Sequence, residues 1–277
     1  MIFYIIPTPI GNLNDLSNRS LKILSSLDFL VVENFSTTRK LLNYYSLKVP
    51  KIITYNDQSS AETRSKIYER IKKGMSGALV SDSGSPLISD PGYKLINLLI
   101  KENIEIVSIP GPSSILSALV ASGLPTDRFQ FLGFFPRKEK EKLTFVGSIQ
   151  KFSGTSIFFD SPKRVLKNLL WLEQSFDVCK FDICIAKEIS KLNEQYLRGK
   201  PLDIIKLISE KKDFLRGEFV LLINPNYEKV QNFQLESFYV NFSPYLPIKD
   251  LTNAVHEITG EPKNKIYKLF LTLSKKA

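Results

Sequence analysis

The chain has few of the residue types from which metal sites and disulfide frameworks are built. Its 277 residues include a single histidine, His256, and two cysteines, Cys179 and Cys184, with four residues between them. A structural zinc site needs four ligands, and a disulfide-stabilised domain needs several cysteine pairs, so the composition predicts neither. We therefore expect a reduced, cytoplasmic protein that holds no metal ion.

Long apolar segments and the common nucleotide-binding motifs are also missing. No apolar run is long enough to cross a membrane, and the N-terminus lacks the basic stretch and small-residue cleavage site of a signal peptide. We interpret residues 2–6 as a first strand and expect no membrane partner. Neither G-x-G-x-x-G nor G-x-x-x-x-G-K-[ST] occurs, which argues against dinucleotides and nucleoside triphosphates as ligands.

Acidic residues are in the minority. The chain has 28 Asp and Glu against 38 Lys and Arg, a formal net charge of +10. Such an excess favours a polyanionic partner such as nucleic acid. Lysine is spread along the whole chain, however, so a basic surface that only solvates the protein is the alternative.

Strands and helices alternate along the sequence, which predicts α/β architecture with a parallel, doubly wound sheet in the first part. A Gly-Leu-Pro-Thr segment at 123–126 marks a junction, so we assign residues 1–122 to an N-terminal α/β domain and 123–226 to a second one. Residues 227–277 are assigned to a linker and a small C-terminal helical extension. Residues 226–243 show no clear period and read as the linker, followed by two short amphipathic helices broken at Gly260 and Pro262.

Three loops follow strand ends in the first domain, at residues 7–13, 81–92 and 110–114. In open α/β sheets, ligands bind outside the carboxyl ends of the strands, so these loops are expected to converge. All three are rich in Gly, Pro, Ser and Asp, residues that let the backbone approach a ligand closely. The pattern predicts a ligand site at this edge of the sheet.

The amino-acid sequences of these loops, and of later segments in the same order, are similar to those of one known family. The chain resembles the ribosomal RNA small-subunit (cytidine-2′-O)-methyltransferases over nearly its whole length. The 79–92 segment is the most specific part of the match. The matching segments are YIIPTPIGNL at 4–13, TRKLL at 38–42, LVSDSGSPLISDPG at 79–92, LVASGLPTDRF at 119–129, GFFPRK at 133–138, FDSPKR at 159–164, RGEFV at 216–220, LPIK at 246–249 and GEPKN at 260–264.

This resemblance implies a two-domain class III methyltransferase with S-adenosyl-L-methionine bound between the domains. It also implies a cytidine ribose of small-subunit (16S) ribosomal RNA, free or in the assembled subunit, as acceptor, and a homodimer as the active form. Carried over residue by residue, it assigns the cofactor to both domains. The implied cofactor-binding residues are Pro9, Asp82, Gly84, Ser85, Ile88, Ser113, Ser114, Phe159 and Gly217.

Methyl transfer to a ribose hydroxyl depends mainly on alignment, helped by a general base or by a cation that stabilises the developing alkoxide. His256 lies in the extension and is expected to be a surface or packing residue. Glu33, Lys187 and Glu188, which end predicted strands, are the candidate catalytic residues. Each of them has the alternative role of a solvated charge at a strand end.

Several basic and aromatic residues in the matched segments are candidates for RNA contacts. Phosphate contacts position RNA without reading its sequence, and aromatic rings stack on unpaired bases. The alternatives are exposed salt bridges for the basic residues and core packing for the aromatic ones. The candidates are Arg39, Arg137, Lys138, Lys163 and Arg164 for phosphates, and Phe134 and Phe135 for a base.

The chain departs from the family pattern at a few positions. It has Asn34-Phe35-Ser36-Thr37 where members usually carry Asp-Thr-Arg-His, and Asp57-Gln58 in a region that usually holds histidine. It also has Asp160 for the usual Glu and Lys163 for the usual His. Two other functions therefore remain open: a methyltransferase of the same fold with a tetrapyrrole or protein acceptor, and a ribosome-assembly factor that binds RNA without catalysis.

Overall fold

The computed structural model describes residues 1–175, 181–210, 214–225 and 235–274. These residues form two compact units, the first ending at residue 225 and the second comprising the described residues from 235 onward. Cys179 and residues 226–234 of the expected linker lie outside the described residues.

The first half of the larger unit is built on a sheet of five parallel strands in the order β3-β2-β4-β1-β5. Its central strands β2 and β4 are buried along their whole length, as expected for a parallel sheet covered on both faces. The predicted parallel architecture is confirmed. The elements are β1 (Ile2–Ile5), α1 (Asn18–Ser25), β2 (Phe29–Val32), α2 (Phe35–Tyr44), β3 (Lys51–Thr54), α3 (Ala61–Lys72), β4 (Gly77–Val80), α4 (Tyr93–Lys101), β5 (Glu105–Ser108) and α5 (Ser114–Ser122).

Two apolar cores lie on the two faces of this sheet. Phe3, Phe29 and Leu79 pack with helices α3 and α4 on one face, while Leu30 and Val80 pack with α1 and α2 on the other. Four of the five helices in this half begin at side chains that accept a hydrogen bond from the first turn, as N-caps do, and α4 begins at Gly92 without one. These caps are Ser17, Asn34, Ser60 and Ser113.

The second half of the unit is built on a mixed sheet in the order β6-β7-β10-β8-β9, in which only β6 and β7 pair in parallel. Strand β9 and helix α8 were not predicted. The sequence QYLRG of β9 lacks an apolar run, whereas the apolar residues of α8 have helical spacing and were overlooked. The elements are β6 (Phe129–Phe134), α6 (Glu139–Gln150), β7 (Thr155–Asp160), α7 (Val165–Ser175), β8 (Phe181–Lys187), β9 (Gln195–Gly199), α8 (Pro201–Glu210) and β10 (Phe219–Pro225).

Helix α5 follows the last strand of the first sheet but packs on the second. Its buried residues Ile115, Ala118 and Leu119 belong to one apolar cluster with residues of β7, β8 and β10. The Arg198 side chain of β9 also donates to the Ala121 carbonyl at 3.1 Å. One helix therefore joins the two sheets through both apolar packing and hydrogen bonding.

The C-terminal unit has a small core of its own. Helices α9 (Leu235–Phe242), α10 (Ile248–Thr259) and α11 (Lys263–Ser274) pack around five buried residues. The predicted break is confirmed, since Gly260 ends α10 in the left-handed conformation. The assignment of residues 226–243 to a linker is wrong for 235–242, which form α9 because Tyr239 packs on Phe270 at 5.1 Å. Within the described residues, no helix is long and apolar enough to cross a membrane.

Replacing Gly77 with Ala should lower the free energy of unfolding by about 1–3 kcal/mol, the usual effect of an added methyl group in a packed core. A Cβ atom at Gly77 would overlap the ring of Phe29, which is fully buried. Urea unfolding of the wild type and the variant would measure this difference.

Gly147→Ala is the matched control, because a Cβ atom there would have no neighbour within 4 Å. Gly147 lies inside α6, where Ala should stabilise the protein by about 0.5–1 kcal/mol. The same substitution is thus expected to have opposite signs at the two sites. A Gly77→Ala protein as stable as the wild type would contradict this packing.

Candidate functional site

The loops that follow β4 and β5 meet the edge of the second sheet around a cavity of about 390 Å³. This volume lies in the range of small-molecule sites. Its walls are mainly apolar, with Ile88, Ile115 and Phe159 among the lining residues, and a few serine and aspartate side chains reach it. The predicted convergence of loops on a cavity is observed for the second and third loops, and Ile10 represents the first.

Most of the predicted cofactor-binding residues lie at this cavity. Ser85, Ile88, Ser113, Ser114, Phe159 and Gly217 all line it, and they come from both halves of the unit. The remaining three, Pro9, Asp82 and Gly84, are not among the described lining residues. Their roles, like those of the other six, stay predictions.

The first two loops are held together beside the cavity. Thr8 and Gly84 exchange two backbone hydrogen bonds, of 2.9 and 3.0 Å. Gly84 has a φ of +77°, and a Cβ atom there would lie 3.3 Å from Ile10. The Ser85 hydroxyl then donates to the Pro112 carbonyl of the third loop at 3.2 Å. The three loops therefore form one connected framework.

Three carboxylates, those of Glu33, Asp82 and Asp90, lie close to one another at one side of this framework. Asp90 lines the cavity. Burial raises the pKa of Asp90 to about 6, the Glu33 and Asp82 carboxylates act in the same direction, and a hydrogen bond from Ser81 opposes them. Sequence reasoning missed Asp90, although it closes the 79–92 segment that carries the strongest resemblance. The sequence shows Asp90 only as an acidic residue in a loop after a strand, and many ordinary turns contain such a residue.

Asp82 contacts the start of α2 through the Asn34 backbone. Burial raises the pKa of Asp82, against hydrogen bonds from the Asn34 backbone and the Thr37 hydroxyl. Its backbone N–H donates to the Glu33 carboxylate at 3.4 Å. The Asp82 Oδ1 atom is buried and has no hydrogen-bond partner among the described residues. Buried polar atoms are normally hydrogen-bonded, so a ligand could supply the partner that this oxygen lacks.

None of the three predicted catalytic residues is among the described residues that line the cavity. Lys187 is buried, and its ammonium lies 4.7 Å from the centre of the Phe214 ring. Glu33 accepts the hydrogen bond from Asp82 already described. Catalytic roles for Lys187, Glu33 and Glu188 stay predictions.

Glu188 supports the wall formed by residues 217 and 218. Its carboxylate accepts hydrogen bonds from the Lys191 ammonium and the Glu218 backbone, both at 2.9 Å. Burial works against ionisation, but these donors lower the pKa of Glu188. A Cβ atom at Gly217, which has a φ of +91°, would lie 2.5 Å from this carboxylate. The ionised Glu188 therefore packs directly against the cavity wall.

Asp160 lies beside this wall, at the end of β7, where it pairs with Phe219 of β10. Its buried carboxylate accepts from the Asn168 amide at 2.6 Å and the Ser161 backbone at 2.7 Å, and Arg164 lies 3.3 Å away. Burial raises the pKa of Asp160, and these donors oppose it. This aspartate stands where the family usually has Glu, and it fixes the start of the 161–164 segment at the cavity.

The candidate RNA-contacting residues differ in their exposure and in their contacts. Phe134 is 59% exposed and lines the cavity, whereas Phe135 is 1% exposed and packs in the core. Arg137 and Lys163 are exposed. Lys138 forms an ion pair with Glu141 at 3.1 Å, and Arg39 lies 5.9 Å from the Phe35 ring on α2.

A second, more open groove of about 820 Å³ lies on the other side of the first loop. Here Asn12 donates its backbone N–H to the Ser190 hydroxyl at 3.1 Å, and Ser190 also hydrogen-bonds Asp15. These contacts link the first loop to the segment after β8. No group of three His, Cys, Asp or Glu in the described part of the chain is arranged to hold a metal ion.

The sequence is similar to known methyltransferases over most of its length. The profile of the tetrapyrrole (corrin/porphyrin) methylases matches residues 3–203. A ribosomal RNA small subunit methyltransferase I from Vibrio cholerae serotype O1 is 36% identical over 274 residues, covering 96% of this chain and 93% of the relative. The protein of the same name from Hydrogenobaculum sp. is 39% identical over 224 residues, covering 81% and 96%.

Solved structures with the same fold are more distant in sequence. A diphthine synthase superposes with a TM-score of 0.64 at 12% identity, over 81% of this chain and 90% of that one. A cobalt precorrin-4 methyltransferase gives 0.58 at 17%, over 80% and 94%. A uroporphyrin-III C-methyltransferase from Thermus thermophilus, complexed with S-adenosylhomocysteine, gives 0.54 at 12%, over 81% and 97%. These likenesses establish the fold, and the predicted two-domain α/β class is confirmed.

Gly217→Ala should destabilise the protein more than Gly123→Ala. Both glycines have positive φ angles, +91° and +75°, so both substitutions introduce backbone strain. Only at Gly217 would the new methyl group also overlap the Glu188 carboxylate, whereas at Gly123 the nearest atom is 3.9 Å away. Thermal unfolding of the two variants would measure the difference. Equal melting temperatures would show that Glu188 does not pack against this wall as described.

Proposed function

We propose a function from one premise: the chain belongs to the tetrapyrrole methylases and, within them, to the ribosomal RNA small subunit methyltransferase I family. The protein transfers a methyl group from S-adenosyl-L-methionine to the 2′-hydroxyl of a cytidine in small-subunit (16S) ribosomal RNA. The observation that carries this proposal is the cavity, whose walls come from the loop segments in which the family resemblance is strongest.

The residues around the cavity fit S-adenosyl-L-methionine. Ile88, Ile115 and Phe159 offer apolar surface for an adenosyl group. The N-terminal turn of α5 lies at the cavity through Ser113 and Ser114, and the positive end of a helix dipole favours a carboxylate such as that of methionine. Asp90 and the unpartnered Asp82 oxygen favour a cation. When bound, this cofactor supplies a methyl group activated by the positive charge on sulfur.

The names of the relatives and the charge of the chain support RNA as the acceptor. The relatives at 36% and 39% identity are ribosomal RNA methyltransferases, and the net charge of +10 suits a polyanion. The fold by itself does not identify the methyl acceptor, because a diphthine synthase and tetrapyrrole methyltransferases share it. The identity of the nucleoside as cytidine and the 2′-oxygen as the methylated atom are part of the proposal.

We assign the role of general base to Asp90. It lines the cavity, and its pKa of about 6 makes it a stronger base than an ordinary carboxylate while leaving it mostly ionised at neutral pH. It would accept the proton of the ribose hydroxyl through a carboxylate oxygen. Lys187, Glu33 and Glu188 remain alternative catalytic residues.

We also propose that the protein is a cytoplasmic homodimer. Leu116 and Val120 lie one turn apart on α5 and are 52% and 76% exposed. Exposed apolar side chains that adjoin on one helix face are typical of surfaces that a second subunit covers.

Incubation of the purified protein with unmethylated small subunits and labelled S-adenosyl-L-methionine should place one 2′-O-methylcytidine in the RNA, detected by mass spectrometry of nucleosides. Calorimetry should show one cofactor site per chain. Ser85→Trp should abolish binding by filling the cavity, whereas Ser85→Ala, which removes only the hydrogen bond to Pro112, should retain it. A protein that binds neither the cofactor nor S-adenosylhomocysteine at millimolar concentration is not this enzyme. Binding of cofactor and RNA without transfer would favour the assembly-factor alternative.

Asp90→Asn should lower the single-turnover rate by about 10²–10⁴, the range for loss of a general base. In the wild type the rate should rise as pH increases through the pKa of Asp90, because only the ionised carboxylate accepts a proton. The sulfonium cation lowers this pKa, so the midpoint should fall at or below pH 6. The variant should lose this limb of the pH profile.

Three further variants separate Asp90 from the other candidates. His256→Ala should retain the wild-type rate, because the His256 ring contacts the Glu261 carbonyl within the extension at 2.7 Å. Lys187→Ala and Glu33→Gln test the alternative roles at saturating cofactor on assembled subunits. A normal pH profile in Asp90→Asn together with a large loss in either of these would move the role to Lys187 or Glu33.

A further inference from the structure

Strand β6 contains an irregularity at the point where it reaches the cavity. In its pairing with β7, Phe131 lies opposite Ile157 and Phe134 opposite Phe159. Three steps along β6 therefore match two along β7, which is the signature of a β-bulge. Gly133, inside this bulge, has a φ of +71° and no neighbour within 4 Å of a Cβ position. Bulges of this kind redirect a side chain and are frequent beside active sites.

The bulge directs Phe134 to the cavity rather than to the core. The ring is 59% exposed, although burial of a phenylalanine side chain contributes about 1.5–3 kcal/mol to folding. Its neighbour Phe135 is buried among Phe145, Phe158 and Trp171. Phe134 packs edge-to-face on Phe159, with the ring centres 5.3 Å apart and the planes at 62°.

Exposed cationic residues lie in the two segments that contribute Phe134 and Pro162 to the cavity. Arg137 follows Phe134 by three residues, and Lys163 follows Pro162, which lines the cavity. Neither Arg137 nor Lys163 forms an ion pair with any residue in the described ranges. An exposed aromatic ring with nearby unpaired cations is the arrangement with which proteins bind unpaired nucleotides, by stacking on the base and attracting the phosphates.

We propose that Phe134 is the stacking platform for the base of the nucleotide that receives the methyl group, with Arg137 and Lys163 holding the adjacent phosphates. This inference rests on the proposed function, because it takes RNA as the acceptor. The ring and Asp90 line one cavity, so a base stacked on Phe134 brings its own ribose to the carboxylate. The acceptor is then an unpaired nucleotide, turned out of its helix or loop.

Phe134→Leu should lower kcat/KM for small subunits by about 5- to 150-fold, the range for loss of one base–aromatic stack. Phe134→Trp keeps an aromatic face and should remain within about threefold of the wild type. Phe129→Leu is the matched control, because Phe129 begins the same strand, is 44% exposed, and is not among the described lining residues. It should leave the kinetics unchanged. Calorimetry with S-adenosylhomocysteine should give the same affinity for all four proteins.

Binding of a short single-stranded RNA, measured by fluorescence anisotropy with S-adenosylhomocysteine present, provides a readout that does not require catalysis. Phe134→Leu should weaken binding without changing its salt dependence. Arg137→Ala and Lys163→Ala should each flatten the plot of log affinity against log salt by about 0.7, the value for one phosphate contact on a single strand.

The outcomes separate this inference from the function on which it rests. Weaker S-adenosylhomocysteine binding by Phe134→Leu would place the ring in the cofactor site and overturn the platform, while methyl transfer by the wild type would still stand. Wild-type kinetics and RNA affinity in Phe134→Leu would also overturn it. If the wild type transfers no methyl group, the proposed function fails, and the anisotropy series alone decides whether Phe134 stacks on RNA.

Discussion

The geometry of the site depends on the packing of helix α5. This helix leaves the first sheet at β5, but its apolar face is buried against β7, β8 and β10 of the second sheet. Its N-terminal residues Ser113 and Ser114 line the cavity at the same time. Because the close-packed core allows little sliding, the contact that joins the two halves also fixes the distance between the cavity walls. The cavity is therefore as rigid as this contact.

Acidic residues line the cavity, cationic residues follow two of its lining residues in the sequence, and the two kinds of charge have different effects on stability. Arg137 and Lys163 are exposed, so folding does not remove water from these two charged groups. Asp90 is partly buried beside two other carboxylates, and its raised pKa means that the folded chain holds this proton more tightly than the unfolded chain. Its contribution to stability is therefore greatest at low pH and is lost as pH rises through about 6. A cationic ligand removes this penalty, so binding and folding stability are coupled at neutral pH.

The sequence predicted the parts of the fold that repeat a simple pattern and the parts of the site that lie in strand-end loops. Six of the nine expected cofactor residues line the cavity, and four of them (Ser85, Ile88, Ser113 and Ser114) do so because loops after parallel strands end at one edge. Strand β9 was missed because its sequence has no apolar run, and helix α9 was missed because its apolar residues show no clear period and Tyr239 is buried by the distant Phe270. Asp90 and the orientation of Phe134 depend on burial and on a bulge, and neither is encoded in residue type or spacing.

The departure from the family pattern at residue 34 has a structural explanation. Asn34 caps α2, accepting from the Ser36 backbone at 3.0 Å, and either Asn or Asp serves as an N-cap. An aspartate here would add a charge beside Asp82, to which the Asn34 backbone donates. Like charges raise carboxyl pKa values, so an added carboxylate would raise the pKa of Asp82 further. The asparagine therefore keeps the helix start without adding negative charge beside Asp82.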